Sequence, residues 1–186
     1  MILLVTGGSA SGKSEYAENR ALQLAKTEQK KLIYLAAMKP FGEEAAKRIE
    51  RHRQLRAGKG FETVERYTDI EGLCRDESLE AETFRQKAKD AVVLLECMSN
   101  LAANEMFSGG DVSRIVSALH DLAHRCRHLV MVTNDVFSDG GCYDESTQAY
   151  LRALAAINCS AAALADCVVE VVYSIPVALK GALPCV

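Results

Sequence analysis

The stretch GGSASGKS, residues 7–14, is the feature that most constrains this chain. It fits the pattern G-x-x-x-x-G-K-[ST], it follows an apolar run of strand length, and it precedes an amphipathic stretch of helix length. Glycines let successive backbone N–H groups turn inward around phosphate oxygens, and the positive end of the next helix points at the same phosphates. The pattern therefore predicts a nucleotide-binding P-loop, although it leaves the reaction open.

Three side chains form a candidate phosphate and metal site around this loop. We expect Lys13 to reach the β- and γ-phosphates and Ser14 to hold Mg²⁺. Glu96 follows five apolar residues, at the end of a strand-like run, where P-loop enzymes place the carboxylate that orients the metal. The alternative for Glu96 is a helix N-terminal acid that the helix dipole favours.

Apolar runs of strand length alternate with helix-like stretches along the rest of the chain. The runs are near-continuously apolar, as is typical of strands buried on both faces, and cover residues 1–5, 32–37, 91–95, 129–133 and 167–173. The helix-like stretches cover about residues 13–28, 43–57, 78–90, 98–107, 111–127 and 145–164; a strand near 62–66 and a final hairpin ending near residue 179 are possible. The alternation predicts an α/β, P-loop NTPase-like fold, with a mostly parallel sheet flanked by helices on both faces and one domain over residues 1–186.

Composition excludes some classes of function and indicates a compartment. The net charge of −3 offers no overall footprint for nucleic acid, and the absence of a run of about 18 apolar residues predicts no membrane span. Seven cysteines without C-x-x-C spacing favour free thiols in a reducing cytoplasm. Between residues 47 and 59, six cations face one anion, Glu50, which indicates a local anionic ligand.

The stretch RIERHRQLR, residues 48–56, places a single histidine, His52, among four arginines. On a helix, Arg48, His52 and Arg56 would share one face. The cations favour the neutral imidazole, and they would bind the phosphates of a nucleotide and a departing pyrophosphate. The residues alone leave two interpretations evenly balanced: a solvated basic face, or an imidazole that attacks an α-phosphate.

Other polar residues are more simply interpreted as structural. His120, His124 and His128 have i, i+4, i+8 spacing, but no carboxylate or thiolate shares their stripe, so we predict a solvated helix face rather than a metal site. Cys97 is expected to be a small buried residue rather than a nucleophile. Asp135 either contacts a ligand at a strand end or makes an Asx-turn.

Seven stretches that span nearly the whole chain carry a resemblance to a known family. They are LLVTGGSASGKSEYAE, LIYLAAM, RIERHRQLR, FETVE, LLECMSNLAANEMF, VTNDVFSDG and ALADCVVEVVYSIPVALKG. A P-loop followed about forty residues later by R-I-x-x-H-R-x-x-R is far more specific than a P-loop alone. The chain resembles the bifunctional adenosylcobinamide kinase / adenosylcobinamide-phosphate guanylyltransferase family of cobalamin biosynthesis.

The resemblance implies two reactions and a set of site residues. The family phosphorylates the hydroxyl of adenosylcobinamide with ATP or GTP, and then transfers GMP from GTP to that phosphate, giving adenosylcobinamide-GDP and pyrophosphate. The family's guanylylated histidine corresponds to His52. Its GTP contacts correspond to Gly7, Gly8, Ser9, Ala10, Ser11, Gly12, Lys13, Ser14, Ala36, Ala37, Met38, Arg53, Gln54, Leu55, Arg56, Glu65 and Glu96. The resemblance also implies a homotrimer in which corrinoid and nucleotide meet near subunit boundaries.

One region departs from the family pattern, and two other functions stay open. The family reads N-E-V-G-x-G-I-V-P and then F-R-D, whereas this chain reads NDVFSDGGCYDESTQAYLRAL, without those glycines, the proline or the F-R-D. We interpret this region as a loop over the acceptor. The alternatives are a single-function P-loop small-molecule kinase without a covalent intermediate, and a nucleotide-binding regulatory module with little catalysis.

Overall fold

The structure is a computed structural model that describes residues 1–138 and 140–183, without the side chains of Glu44, Ala45, Arg48 and Leu55. Its strands are β1 Ile2–Thr6, β2 Lys31–Ala36, β3 Phe61–Glu65, β4 Ala91–Glu96, β5 His128–Val132, β6 Cys167–Val172 and β7 Ile175–Lys180. Its helices are α1 Lys13–Glu28, α2 Gly42–Arg56, α3 Ile70–Arg75, α4 Leu79–Ala88, α5 Met98–Phe107, α6 Ser113–Arg125 and α7 Glu145–Leu164.

All seven strands form one sheet in the order β3-β2-β4-β5-β1-β6-β7. The pairs from β3 to β6 are parallel, and only β7 pairs with its neighbour β6 in the antiparallel direction. This sheet confirms the predicted fold class. The parallel arrangement brings the carboxyl ends of β1, β2, β3 and β4 to one edge, where ligands bind in open α/β sheets.

Helices cover both faces of the sheet, which explains the near-continuous apolar runs. On one face, α1 packs its small residues Ala17, Ala21 and Ala25 against β1, β2, β4, β5 and β6. On the other face, buried residues of α3 to α7 pack on the same strands. Every residue of β4 and of β5 is buried, so each strand needs apolar side chains on both faces.

The predicted elements match the structure within about two residues at each end, with one exception, the missed helix α3. The strand near 61–65 and the final hairpin are both present. The short helix α3 was missed because six residues are too few to show helical periodicity; its start is marked only by Asp69, whose side chain accepts from Gly72 N. The predicted helix at 78–90 is the ten-residue α4.

The histidine stripe was predicted wrongly at one of its three positions. α6 ends at Arg125, so His128 belongs to β5, where only 7% of the residue is exposed. Its ring bonds the Met1 amino group and the Glu28 carboxylate, each at 2.9 Å. His120 and His124 are exposed on α6, as predicted. Among the helices of the described residues, none has both the length and the apolar composition to cross a membrane.

Candidate active site

The loop between β1 and α1 has the tight backbone that its glycines permit. Gly7 and Gly12 have φ angles of 154° and 93°. A Cβ on Gly7 would lie 2.5 Å from the Val171 carbonyl oxygen, and one on Gly12 would lie 2.7 Å from Ser174 Oγ. The turn between β6 and β7 supports the loop from behind, because Ser174 N donates to Ser11 O at 2.8 Å. Only glycine therefore fits these two positions.

Side chains of the loop reach the loop backbone and the end of β4. Lys13 Nζ donates to Gly8 O at 2.9 Å, and Ser14 Oγ donates to Glu96 Oε1 at 2.5 Å. Tyr34 on β2 donates its hydroxyl to the other oxygen of Glu96, Oε2, at 3.2 Å. Burial, followed by the negative charge of Glu96, raises the pKa of Tyr34 well above its ordinary value, so the phenol stays a donor.

Strand register brings two acidic residues to the same edge. Ala36 at the end of β2 pairs with Glu96 on β4 and with Glu65 on β3. Glu96 is only 6% exposed, while Glu65 lies at the rim. The edge therefore carries one buried carboxylate beside the P-loop and one exposed carboxylate two strands away.

Helix α2 lies over this edge and brings His52 to Glu96. His52 Nδ1 lies 3.9 Å from Glu96 Oε1 and is buried without a hydrogen-bond partner in the described part of the chain. Arg56, one turn later, places its guanidinium 3.4 Å from the centre of the Tyr34 ring and is 8% exposed. A stacked, desolvated guanidinium keeps its charge and its planar set of donors, which suits phosphate binding.

Arg53 makes a separate contact at the rim of the site. Its Nη2 donates to Glu65 Oε1 at 2.9 Å, and the Tyr67 hydroxyl donates to Glu65 Oε2 at 2.7 Å. The Tyr67 hydroxyl first, and then the Arg53 guanidinium, hold the pKa of Glu65 below its usual value. Glu65 is therefore an ionised acceptor held in place by two neighbours.

These side chains enclose one cavity of about 380 Å³ beside the P-loop. Its predicted lining residues are Ala36, Met38, His52, Arg53, Arg56, Glu65 and Glu96. Two other predicted contacts do not line the cavity: Ala37 is fully buried, and Gln54 is exposed and donates a hydrogen bond to Glu50. The side chains of Leu55 and Arg48 lie outside the described residues. Gly8, Ser9 and Ala10 present the open face of the P-loop.

Four residues of the site were not predicted from the sequence: Tyr34, Tyr67, Glu18 and Lys59. Tyr34 gave a usable signal, because a tyrosine within a buried apolar strand needs a partner for its hydroxyl. Glu18 gave another, because it is an acid between Ala17 and Ala21 on the helix face that packs on the sheet. Lys59 counts among the cations of residues 47–59, but its pairing with Glu18 gave no signal, because Glu18 is 41 residues away in the sequence.

The structure also tests the predictions made for Cys97 and Asp135. Cys97 is buried and its pKa is raised, mainly by burial, which confirms the prediction of a buried, unreactive thiol. Asp135 accepts from Phe137 N at 3.1 Å and from Ser138 Oγ at 2.8 Å, so it forms the Asx-turn of the two alternatives.

The chain matches one protein family over nearly its whole length. Residues 3–179 match the family described as cobinamide kinase / cobinamide phosphate guanyltransferase. The chain is 33% identical over 152 residues to the bifunctional adenosylcobalamin biosynthesis protein CobU of Escherichia coli, covering 73% of this chain and 76% of that protein. It is 29% identical to the protein of that name from Salmonella typhimurium, covering 97% of this chain and 100% of the relative.

Two solved structures share the fold at low sequence identity. The flagellar accessory protein FlaH from Methanocaldococcus jannaschii has a TM-score of 0.53 at 13% identity, covering 97% of this chain and 78% of FlaH. The ATPase domain of G40P has a TM-score of 0.51 at 11% identity, covering 91% and 68%. At these identities the similarity supports the P-loop NTPase-like fold alone.

Proposed function

Because this chain belongs to the cobinamide kinase / cobinamide phosphate guanyltransferase family, we propose that it performs two successive reactions on one corrinoid substrate. It phosphorylates the hydroxyl of adenosylcobinamide with ATP or GTP. It then transfers GMP from GTP to the new phosphate through a guanylyl-histidine, giving adenosylcobinamide-GDP and pyrophosphate.

One observation carries this proposal above the alternatives. His52 lies at the wall of a cavity beside the P-loop, with Nδ1 directed at the Glu96 carboxylate that also holds Ser14. A solvated basic helix would leave its histidine in water, whereas His52 exposes only 21% of its side chain. An imidazole beside two arginines and a phosphate-binding loop is suited to attack a nucleotide phosphate.

In the first reaction, the P-loop backbone and Lys13 bind the β- and γ-phosphates. The acceptor hydroxyl oxygen attacks the γ-phosphorus. The bond between the γ-phosphorus and the β–γ bridging oxygen breaks, and the nucleoside diphosphate leaves. The hydroxyl proton passes to solvent as the new P–O bond forms. Lys13 stabilises the charge that moves onto the leaving diphosphate.

In the second reaction, an imidazole nitrogen of His52 attacks the α-phosphorus of GTP. The P–N bond forms, the bond from the α-phosphorus to the bridging oxygen breaks, and pyrophosphate leaves. We assign the attack to Nε2, because Nδ1 is buried against Glu96. Arg53 and Arg56 are positioned to bind the phosphates during this step.

The phosphate of the corrinoid completes the transfer. One of its oxygens attacks the phosphorus of the guanylyl-histidine, the P–N bond breaks, and the imidazole is released for another cycle. The new P–O–P linkage is that of adenosylcobinamide-GDP. Both halves of the transfer then use the same histidine and the same arginines.

Ser14 and Glu96 fit the Mg²⁺ that P-loop chemistry uses. A hydroxyl and a carboxylate are the hard oxygen donors that Mg²⁺ prefers, and the two lie 2.5 Å apart between Oγ and Oε1. Mg²⁺ bound there would neutralise phosphate charge. The hydrogen bond between Ser14 and Glu96 would then be lost, and the Glu96 carboxylate would face the ion.

The cavity itself is suited to a guanine base. Tyr34 and Met38 offer apolar surface, and the ionised Glu65 at the rim can accept from the N–H groups on the pyrimidine edge of guanine. Adenine has no ring N–H at the equivalent position. This acceptor supports GTP as the donor of the transferred nucleotide.

We also propose a homotrimer in a reducing cytoplasm. The exposed apolar side chains Ile175, Val177 and Leu179 on the edge strand β7 support self-association, which size-exclusion chromatography with light scattering tests. Six free cysteines among the described residues support the reducing compartment.

The experiment that tests the function follows adenosylcobinamide with GTP and Mg²⁺ by liquid chromatography and mass spectrometry. The native protein should give adenosylcobinamide-GDP. His52→Asn should stop at the phosphate, and Lys13→Ala should form neither product. A single-function kinase would instead give only the phosphate, at the same rate in the native and His52→Asn proteins.

A further inference from the structure

Glu18 is a buried carboxylate with one unused oxygen. It lies on α1 one turn after Ser14 and is 1% exposed. Its Oε2 accepts from Lys59 Nζ at 2.7 Å, while Oε1 is buried with no hydrogen-bond partner among residues 1–138 and 140–183. An unpaired buried carboxylate oxygen is costly, so its position indicates a missing ligand.

His52 and Glu96 lie near the Glu18 carboxylate and belong to two other elements. His52 Nδ1 on α2 is another of the buried atoms that lack a hydrogen-bond partner within the described chain, and it lies 3.9 Å from Glu96 Oε1 on β4. One potential ligand atom from each of Glu18, His52 and Glu96 lies within 4.8 Å of the others. Three elements that are distant in sequence therefore bring one nitrogen and two oxygens together.

This donor set differs from the one that Mg²⁺ prefers. Magnesium takes oxygen ligands, whereas imidazole combined with carboxylates suits Zn²⁺ and related first-row divalent ions. Zinc bonds to such ligands at about 2.0–2.2 Å, so tetrahedral ligands lie about 3.4 Å apart. The 3.9 Å separation of His52 and Glu96 needs to shorten by only about half an ångström to reach that value.

We propose that the nucleotide-free protein binds one divalent transition-metal ion of the Zn²⁺ type through Glu18, His52 and Glu96. The proposed site differs from the Mg²⁺ site, which is formed by Ser14 and Glu96. Glu96 belongs to both sites, whereas Glu18 and His52 belong only to the proposed one. Lys59 keeps its bond to Oε2 of Glu18, so Oε1 binds the ion.

A bound ion changes what the histidine can do. A neutral imidazole that coordinates a metal through Nδ1 carries its proton on Nε2, and that nitrogen then has no free lone pair. The metal-bound protein is therefore unable to form the guanylyl-histidine. This consequence rests on the proposed function, whereas the metal site itself does not.

Zinc titration of the tag-free full chain, followed by calorimetry, tests the site. The exposed thiols Cys142 and Cys159 are replaced by serine in every protein, because thiolates are zinc ligands and would obscure the titration. We expect one ion per chain, and binding at least about tenfold weaker in Glu18→Gln and in His52→Asn. The matched control His124→Gln removes an exposed histidine on α6 and should bind like the parent. Equal affinity in all four proteins, or no saturable binding, overturns the proposal.

A second measurement covers the case in which Glu18→Gln fails to fold. Zinc should raise the unfolding temperature of the parent protein and of His124→Gln, but not that of His52→Asn. The His52 side chain is 21% exposed, so its replacement should disturb the packing less than replacement of Glu18, which is 1% exposed. A zinc-induced shift of the same size in His52→Asn contradicts the site.

Labelling with GTP distinguishes zinc binding at the site from inhibition of guanylylation by zinc. Stoichiometric zinc should abolish the guanylyl adduct of the parent protein. EDTA in slight excess over zinc should restore the adduct when Mg²⁺ is kept in large excess over EDTA. If zinc binds to the three residues but the adduct forms at full rate, the inhibitory consequence is wrong. If no adduct forms even with EDTA, the proposed function fails, and the titration alone decides the metal site.

Discussion

At the scale of single residues, Arg56 combines packing with charge. Its guanidinium lies over the Tyr34 ring, with Cζ 3.4 Å from the ring centre, and lines the cavity. Lysine has neither the planar group nor the five donors, so Arg56→Lys should lower the rate of adduct formation from GTP about tenfold or more. The measurement is a time course of labelling at subsaturating GTP.

The control for Arg56→Lys is Arg51→Lys, on the exposed side of the same helix. It keeps the net charge and should label at the native rate. Equal rates in both variants would show that stacking on Tyr34 contributes nothing.

Cysteine reactivity gives a second prediction at this scale. Burial raises the pKa of Cys74 to about 11 and that of Cys126 to about 12, and it also raises the pKa of Cys97. Brief alkylation of the native protein at pH 8 should therefore modify the exposed Cys142 and Cys159 and spare those three. Peptide mass spectrometry measures this. Alkylation of Cys74 as fast as Cys142 would contradict the buried position.

Some residues of the site could be predicted from the sequence, and others could not. Lys13, Ser14 and Glu96 could be assigned because a local pattern and a strand end fix their positions. Glu18 and Lys59 could not be paired, because 41 residues separate them and only the tertiary structure brings their side chains together. His52 could be proposed but not placed, because the depth of its burial depends on where α2 docks.

At the scale of elements, Glu28 joins the end of α1 to the start of β5. Hydrogen bonds from Arg127 first, and then from His128, lower the pKa of Glu28 from 4.5 to about 2. A lowered carboxyl pKa adds stability above pH 4.5, and that stability is lost as the pH falls toward 2. Glu28→Gln should therefore be less stable than the native protein at neutral pH, by a difference that shrinks over this range.

Urea unfolding at several pH values between 2 and 7 measures that difference. Glu77→Gln, at an exposed position after α3, is the matched control and should show no such trend. A difference for Glu28→Gln that stays constant with pH would mean that the contact is structural but not electrostatic.

The elements themselves were predictable to different degrees. Strands buried on both faces, such as β4 and β5, give long apolar runs and could be located within a residue or two. His128 was wrongly grouped with His120 and His124 because the i, i+4, i+8 spacing continues past Arg125, while the backbone turns into β5 at His128. A local period therefore does not reveal where tertiary structure ends a helix.

At the scale of the whole molecule, the sheet with its two layers of helices determines stability. Leu122 on α6 is fully buried against the sheet, and Leu79 at the start of α4 is 80% exposed. Leu122→Ala should lower the free energy of unfolding by about 2–5 kcal/mol, because it leaves a cavity. Leu79→Ala should change it by no more than about 0.5 kcal/mol. Denaturant unfolding measures both, and similar losses would contradict the assigned core.

The same architecture places the residues of the candidate active site at one edge of the sheet. The parallel order puts the P-loop, the end of β4 and the rim carboxylate of β3 together, and this could be predicted from alternating strands and helices. The contact of α2 with that edge could not, since it depends on Arg56 over Tyr34 and on Lys59 reaching Glu18. That contact gives His52 its place in the proposed mechanism.

The central claim is that His52 becomes covalently guanylylated, and mass spectrometry of the intact protein after incubation with GTP and Mg²⁺ tests it most directly. The account predicts an added mass of one GMP, stable to base and labile to acid, that maps to the peptide containing His52 and is absent in His52→Asn. An adduct that persists in His52→Asn, or that maps to another residue, would contradict it.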